Sequence, residues 1–365
     1  MINGDNFALN VPYNSVSFGQ LGILISRELH KRNLNPCIFP ISGQADLSCQ
    51  TDLSPEFIQW FQNNAQKALK THKRENPTLK LWHLNSSLES LSNEQTLLTF
   101  WECDNPTAEE LNIIRNNKKV IVTNQYCKDI LETYGCKNIV KVPLGFDKYN
   151  FKKLDKKYFD DGRISFLLPG KVELTRKRTA KVIQAWVKKY GNNTKYFLNC
   201  MTHNPFIPPD QLANLYNQIL GGKHYSNVQF LGYMPHNSQV NDCINASEIV
   251  LGMGTEGWNI PLFSALNLSK HVVALNVAGH KEYCDNSNSV LLSPSGKIPI
   301  YDQMFFHQGQ IFNQGNCFDF SDDEFLSACD VAIERVKSNP LNTEGAKLQE
   351  RFSSELMVDN ILKEM

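Results

Sequence analysis

The feature that most constrains the fold is a regular alternation of short apolar segments with longer amphipathic ones along the 365 residues. KKVIVTN and SEIVLGM have the continuous apolar character of buried strands, whereas RTAKVIQAWVKKYG has the apolar spacing of a helix. Strands that alternate with helices in this way form parallel sheets that helices cover on both faces. The pattern therefore predicts an α/β protein.

A charged stretch that is poor in apolar residues, at 148–163, separates two such series. Since a domain has about 100–200 residues, two series in one chain predict two Rossmann-like domains that face each other across a cleft. We place the N-terminal domain at 1–150 and the C-terminal domain at 151–343. The remaining segment, 344–365, is predicted to be helical.

Composition narrows the functional classes. Lys and Arg together number 37, as do Asp and Glu, so the net charge is zero and no overall field attracts nucleic acid or acidic lipid. Ten cysteines occur without a CxxC pair, which indicates reduced thiols rather than extracellular disulfides. The first residues lack the pattern of a secretory signal, and no uncharged apolar run approaches the roughly 18 residues of a membrane span. We therefore expect a cytoplasmic protein without a transmembrane segment.

The most informative motif lies in SEIVLGMGTEGWNIPLFSALN. A buried strand ends at Gly252, a loop contains Glu256, and a helix follows with Pro261 in its first turn. The backbone N–H groups at such a helix start can bind a phosphate or diphosphate. The carboxylate of Glu256 can accept hydrogen bonds from sugar hydroxyls. These features fit a ligand that carries both a phosphate group and a sugar.

Two other interpretations of this motif are open. Gly252, Gly254 and Gly257 also match the dinucleotide-binding fingerprint G-x-G-x-x-G, which would imply NAD. Against NAD, the residue about 20 positions further along is Asn276 rather than an acid, and the unit lies deep in the second domain. The motif can also be a purely structural turn between a strand and a helix.

The same stretch resembles the donor-sugar loop of the retaining family-4 glycosyltransferases of the GT-B fold, whose pattern is E-G-F-G-x-P with a second Glu eight residues after the first. The match covers four residues, Glu256, Gly257, Trp258 and Pro261. Ser264 stands where the second Glu, which holds the nucleotide ribose in the family, belongs. The resemblance implies that Glu256 binds the donor sugar, and it assigns substrate contacts to four neighbours, Gly257, Trp258, Asn259 and Ser264.

A second motif, PGKVELTRKR, resembles the family's G-K/R-x-E-x-R-K loop, whose cations neutralise the leaving diphosphate. A departing nucleoside diphosphate develops negative charge that fixed cations stabilise. The resemblance therefore predicts that Lys171 and Arg176 clamp the diphosphate, with Lys177 or Arg178 as alternatives to Arg176. Taken alone, the segment can also be a solvated basic turn.

Weaker matches follow the family order along the chain. PLGFD at 143–147 and FLGYM at 230–234 resemble family segments at the domain junction and in the second domain. Three other segments, SVSFGQLG, TFWECDNP and AGHKEY, resemble family motifs as well. These matches imply that Gly19 lies near the donor phosphates, that Glu102 lies on the acceptor side, and that Glu282 lies in a turn near the donor.

Other candidate residues have two interpretations each. His83 follows the apolar segment LKLW and either bonds a sugar hydroxyl at the cleft or has a structural role. The aromatic-rich segment at 305–320 either stacks against a sugar or acceptor or is a packed surface loop. Cys200-x-x-His203 is a zinc half-site without a second pair, and no Asp-x-Asp occurs, so we predict no metal site.

The resemblance implies a retaining, metal-independent transfer of a sugar from a nucleotide-sugar to an acceptor hydroxyl, with Glu256, Lys171 and Arg176 as the catalytic residues. The N-terminal domain would bind the acceptor, a glycan or small molecule, and the C-terminal domain the UDP-, GDP- or ADP-sugar. No further cofactor is implied, and the last helix would cross back to the first domain. Two alternatives are a non-catalytic nucleotide-sugar or glycan-binding protein on the same fold and a glycosyltransferase acting on hydroxylated bases in DNA.

Overall fold

The computed structural model describes residues 6–302 and 304–365, and these form two parallel six-stranded sheets covered by helices. The first sheet contains β1 (Ala8–Val11), β2 (Cys37–Pro40), β3 (Thr78–Leu81), β4 (Gln95–Thr99), β5 (Lys119–Val122) and β6 (Ile139–Lys141). Its strand order is β2-β1-β3-β4-β5-β6. Its helices are α1 (Ser17–Lys31), α2 (Pro55–Thr71), α3 (Ala108–Asn116) and α4 (Gln125–Thr133).

The second sheet contains β7 (Ile164–Pro169), β8 (Tyr196–Met201), β9 (Val228–Phe230), β10 (Ile249–Gly252), β11 (His271–Leu275) and β12 (Val290–Leu292). Its strand order is β12-β11-β10-β7-β8-β9. The accompanying helices are α5 (Thr179–Tyr190), α6 (Pro209–Ile219), α7 (Asn237–Ala246), α8 (Ile260–Asn267) and α9 (Asp322–Ser338), with a short 3₁₀ helix at Ala278–Glu282. Two facing Rossmann-like domains confirm the predicted fold class.

The strand order positions the candidate site. Every residue of β7 and β10 is buried, as expected for central strands that helices cover on both faces. Strand β8, which follows β7 in the chain, lies on one side of β7, whereas β10 lies on its other side. The strand order therefore reverses at β7. In open α/β sheets, ligands bind outside the carboxyl ends of the strands at such a reversal. The loops that follow β7 and β10 are therefore where a ligand is expected.

A hairpin from the second domain lies against the first. It consists of β13 (Gly296–Pro299), the antiparallel β14 (Asn316–Asp319) and their connection, and we call residues 296–319 the strap, within which Gln303 lies outside the described residues. Buried strap residues Ile300 and Phe306 belong to a hydrophobic cluster with Trp101 and Cys103 of the first domain. The strap therefore joins the two domains through an apolar core.

The C-terminal segment also returns to the first domain. After α10 (Thr343–Ala346) and α11 (Leu348–Arg351), helix α12 (Ser354–Glu364) packs against α1. The N–H of Phe146 donates to the carbonyl of Phe352 at 2.7 Å, and the hydroxyl of Ser354 donates to Glu28 at 2.8 Å. A Cβ on Gly145 would lie 2.4 Å from the Cα of Ser354, so only glycine permits this approach.

All ten cysteines are free thiols in the structure. Across the described residues, helices are too short or too polar to cross a lipid bilayer. The same residues contain no cluster of three His, Cys, Asp or Glu side chains arranged to hold a metal ion.

Candidate functional site

The site is built where the loops after β7 and β10 meet. The N–H of Thr255 donates to the carbonyl of Arg176 at 2.9 Å, which joins the two loops directly. A Cβ on Gly254 would lie 2.9 Å from the Cα of Lys177, too close for any side chain. The glycine at 254 therefore allows the loop that carries Glu256 to approach the loop that carries the cations.

Glu256 is the most strongly paired carboxylate of the site. Its Oε2 accepts a hydrogen bond from Arg176 Nη1 at 2.8 Å, and its Oε1 accepts one from Lys177 Nζ at 2.5 Å. Burial opposes ionisation, but the charges of Lys177 and Arg176 outweigh it and lower the pKa of Glu256 to about 2. Glu256 is therefore a charged hydrogen-bond acceptor at neutral pH.

Glu102 enters the cluster from the first domain, after β4. Its Oε1 lies 2.8 Å from Arg176 Nη1 and accepts a 3.3 Å hydrogen bond from the N–H of Gly257. Burial, aided by the nearby charge of Glu256, raises the pKa of Glu102 to about 7 in spite of the attraction to Arg176. Glu102, Glu173 and Glu256 share the Arg176 guanidinium. Glu102 is protonated more readily than Glu256, because the pKa of Glu102 is raised and that of Glu256 is lowered.

Glu173 connects the remaining predicted cation to the cluster. Its Oε1 lies 2.9 Å from Lys171 Nζ and 3.5 Å from Arg176 Nη2. Glu256, Arg176 and Lys171, the three predicted catalytic residues, are therefore brought together through direct and bridged ion pairs. Glu173 was not among the predicted site residues, although an acid between two predicted site cations is a signal that could have found it.

Gly257, in the second domain, is held by side chains of the first domain. Its carbonyl accepts hydrogen bonds from the Thr123 hydroxyl at 2.6 Å and from Asn124 Nδ2 at 2.7 Å, both at the start of α4. A Cβ on Gly279 would lie 2.5 Å from the same carbonyl oxygen. Sequence analysis missed Thr123 and Asn124, because nothing local marks a contact between residues so far apart in the chain.

Asn259 organises the start of α8. It has a positive φ of 68°, and its side chain accepts a hydrogen bond from the N–H of Leu262 at 3.3 Å. Its amide pairs with His280 Nε2 at 3.0 Å, while His280 Nδ1 lies 2.9 Å from the carbonyl of Leu275. Burial lowers the pKa of His280. A neutral imidazole that donates from Nδ1 and accepts at Nε2 therefore fixes the amide of Asn259.

Four residues of the second domain that were predicted to contact substrate have side chains that lie outside the ion-paired cluster of Glu256 and Arg176. Trp258 is 1% exposed and packs in the core against Phe263, and Ser264 is buried within α8. Arg178 pairs with Asp319 of the strap at 2.6 Å. Glu282 accepts a hydrogen bond from the N–H of Gln125 at 2.6 Å and pairs with Lys141 at 3.0 Å. The Glu282 carboxylate therefore ties the two domains together in this structure.

Gly19 lies in the first turn of α1, which follows β1, and His83 lies in the loop after the neighbouring strand β3. A Cβ on Gly19 would lie 2.2 Å from Asn14 Oδ1, so the glycine permits a tight turn before α1. The ring of His83 lies 4.3 Å from that of Phe18, which in turn contacts Phe100 at 4.8 Å. Phe100 Cβ would lie 3.3 Å from a Cβ built on Gly257. His83 is thus linked to the Glu256 loop through aromatic rings.

The strap covers the loop between β7 and α5 that carries Lys171 and Arg176, which we call the cation loop. Lys171 Nζ lies 4.8 Å from the ring of Phe305 and 3.9 Å from Asp302, and the guanidinium of Arg176 lies 5.5 Å from the ring of Phe306. The aromatic-rich segment is therefore packed against the first domain and beside the cations at the same time.

No protein-family model and no curated protein matches this sequence. Solved structures of similar fold include sucrose-phosphate synthase from Thermosynechococcus elongatus, with a TM-score of 0.67, 11% identity and 98% of both chains covered. A glycosyltransferase from Rickettsia africae has a TM-score of 0.65 and 14% identity over 99% of this chain and 98% of that one. HepE of Anabaena, solved with UDP and glucose, has a TM-score of 0.63 and 12% identity over 98% of each chain. Together with the two facing sheets, these similarities establish that the chain has the GT-B fold.

Proposed function

We propose that this protein is a glycosyltransferase that moves a sugar from a nucleotide-sugar to an acceptor hydroxyl. The observation that carries the proposal is the ionised Glu256 beside the cations Arg176 and Lys177, at the strand reversal of the second domain of a GT-B fold. Glu102 reaches the same cluster from the opposite domain. The cluster therefore lies where a ligand held between the two domains would meet residues from both.

Each group has a role that follows from its chemistry. Glu256 accepts hydrogen bonds from hydroxyls of the donor sugar, because it is charged and fixed by two cations. Lys171, Arg176 and Lys177 supply the positive charge that a leaving diphosphate needs. In the structure, Glu173 and Glu256 pair with these cations, and the phosphate oxygens of the donor would exchange with the carboxylates.

The family resemblance extends the proposal to a retaining reaction. The acceptor hydroxyl attacks the anomeric carbon on the face from which the diphosphate departs. The bond between that carbon and the phosphate oxygen breaks with its electron pair on the diphosphate, and the acceptor proton moves to a phosphate oxygen. The protein contributes position and charge rather than a nucleophile. We propose that the reaction needs no metal ion.

The first donors to test are UDP-sugars. HepE was solved with UDP and glucose, and the trehalose-6-phosphate protein of E. coli, a further structure of similar fold, was solved with UDP-2-fluoro glucose. The test is release of nucleoside diphosphate from a panel of UDP-, GDP- and ADP-sugars with glycan and small-molecule acceptors, with and without EDTA. Proton NMR of the product then reports the anomeric configuration.

The variant Glu256→Gln tests the site within this assay. It keeps the shape of the side chain but removes the charge, so we expect turnover to fall by at least about a hundredfold, the scale of losing one electrostatic contact in a transition state. Glu334→Gln, at an exposed position of α9, is the matched control and should behave as wild type. Wild-type turnover in the Glu256 variant would contradict the site, and the absence of any donor turnover or binding would contradict the function.

One observation favours a second candidate function. Ser264, in place of the second acidic residue of the resembled pattern, is buried and offers no carboxylate to a ribose. A protein that binds nucleotide-sugars without turnover would tolerate this change. Binding of a donor by calorimetry, with no release of diphosphate under any acceptor condition, would support that candidate over the transferase.

A further inference from the structure

We propose that Phe206 and Phe305 form a stacking surface for the nucleobase of the donor, beside the cation that binds its diphosphate. The inference rests on the proposed function and deepens it, because it assigns part of donor recognition to the strap. The two residues come from different segments, one following β8 and the other in the strap, and we call them the phenyl pair.

The phenyl pair is exposed although side-chain hydrogen bonds hold the backbone N–H groups of both residues. Phe206 is 48% exposed and Phe305 is 45% exposed, with the two ring centroids 5.4 Å apart. Phe306, the next residue in the strap, is only 7% exposed and anchors the strap in the first domain. One turn thus buries one phenyl ring and presents the neighbouring ring to solvent. Exposed aromatic rings that cluster in this way are typical of binding surfaces.

Buried polar side chains fix both turns. Oδ1 of Asp302 accepts hydrogen bonds from the N–H groups of Met304, Phe305 and Phe306 at 2.7–2.9 Å. Oδ2 of the same carboxylate lies 3.9 Å from Lys171 Nζ. The position of Phe305 relative to the cation is therefore set before any ligand binds.

The turn that carries Phe206 has an equivalent support. Asn204, which is buried, accepts a hydrogen bond from the N–H of Phe206 at 3.1 Å and donates its amide to the carbonyl of Val172 at 3.2 Å. Since Val172 follows Lys171, this second turn is also tied to the cation loop. Two independent supports hold the phenyl pair side by side next to the Lys171 ammonium, whose Nζ lies 5.3 and 4.8 Å from the two ring centroids.

This combination selects a ligand with one anionic end and one planar aromatic end. The rings already attract the Lys171 ammonium through their π faces, so they can offer the same faces to a base once the ammonium binds phosphate. Stacking of a base on an aromatic side chain is favourable for every base, because each has a π face. A nucleoside diphosphate has both required parts, whereas inorganic pyrophosphate has only the anionic one.

The experiment compares those two ligands. Isothermal titration of the wild-type protein, Phe206→Ala and Phe305→Ala is carried out with UDP, GDP, ADP and inorganic pyrophosphate. We expect each alanine variant to bind its nucleoside diphosphate roughly five- to a hundredfold more weakly, the range for loss of one stacked base, with pyrophosphate affinity unchanged. Phe305→Tyr should keep wild-type affinity for both. Met304→Ala, an exposed apolar residue of the same turn, is the matched control and should alter neither affinity.

The outcomes separate the inference from the proposed function. Equal weakening of both ligands in Phe305→Ala, or no change in either, overturns the stacking surface, because the ring would then only support Lys171 or do nothing. A wild-type protein that binds none of the three nucleoside diphosphates overturns the proposed function and the inference with it. Lys171→Ala should weaken both classes of ligand, which shows that pyrophosphate reports the phosphate end of the site.

Discussion

The two domains contain the same kind of sheet but equip its carboxyl end differently. In the second domain, the loops after β7 and β10 bring Arg176, Lys177 and Glu256 into an ion-paired cluster. In the first domain, the start of α1 and the loop after β3 bring together Phe18 and His83 in a ring contact. The doubly wound sheet thus determines where ligands bind, and the residues that follow its strands determine whether the binding surface is charged or aromatic.

The largest expected effect comes from Arg176→Ala, which removes the cation that Glu102, Glu173 and Glu256 share. Three carboxylates of a largely buried cluster would lose the partner that they share, so the free energy of unfolding should fall by about 3–5 kcal/mol, and donor turnover should be lost. Urea unfolding and the transfer assay measure the two effects. Lys189→Ala, which breaks an ion pair on the surface, should cost less than about 1 kcal/mol. Equal stability of the two variants would show that the cluster is not built around Arg176.

Phe306→Ala tests how the strap of the second domain is anchored in the first domain. The ring is buried in the first domain's core, so its removal should lower the free energy of unfolding by about 3 kcal/mol. Phe305→Ala, one residue earlier and half exposed, should lower it by less than about 1 kcal/mol. Thermal or urea unfolding of the two variants measures the difference. A larger loss of unfolding free energy in Phe305→Ala than in Phe306→Ala would contradict the anchoring role of Phe306.

The pH dependence of stability tests Glu102, the first domain's contribution to the ion cluster. Burial raises the pKa of Glu102 to about 7 in the folded protein, whereas a glutamate carboxyl of the unfolded chain has a pKa of about 4.3. Between these two pH values, the folded protein keeps a proton that the unfolded chain has released. This group therefore makes the free energy of unfolding fall as pH rises towards 7, by at most about 1.4 kcal/mol per pH unit, and has no further effect above 7.

Glu102→Gln should remove that slope. Urea unfolding at several pH values between about 5 and 8 should show the variant gaining stability relative to wild type as pH rises to about 7, then a constant difference. Glu334→Gln should run parallel to wild type throughout. Parallel curves for Glu102→Gln and wild type would mean that Glu102 titrates at its ordinary pKa.

The smallest expected effect is that of His83→Ala. If the imidazole bonds an acceptor or donor hydroxyl, kcat/KM should fall about two- to tenfold, the range for one uncharged hydrogen bond, with little change in unfolding. His224→Ala, on an exposed loop of the second domain, is the control and should match wild type. An unchanged kcat/KM in His83→Ala would leave the ring a purely structural role beside Phe18.

The two sheets were predictable because buried parallel strands are locally recognisable. KKVIVTN and SEIVLGM contain the apolar runs that became β5 and β10, and the charged segment at 148–163 marked the passage between the sheets. The convergence of Glu256 with Arg176 was predictable too, since the carboxyl ends of neighbouring parallel strands share one edge. In each case, a short stretch of residues contained the information.

Other features could not be predicted, because they depend on contacts distant in the chain. An aromatic residue in a loop motif does not reveal its direction, and Trp258 points into the core rather than towards the cations. Glu282 was assigned to the donor, yet its carboxylate meets Gln125 and Lys141 of the other domain. The segment at 305–320 has no periodicity that indicates which domain it packs on.

The position of the strap has a consequence for dissecting the protein. Ile300 and Phe306 are covered by apolar side chains that precede residue 150, so a fragment beginning after the first sheet would expose these rings and aliphatic groups to water. The complementary fragment would lose the cover of Trp101 and Cys103. Each half, produced alone, should aggregate, and the two should become soluble when they are synthesised together.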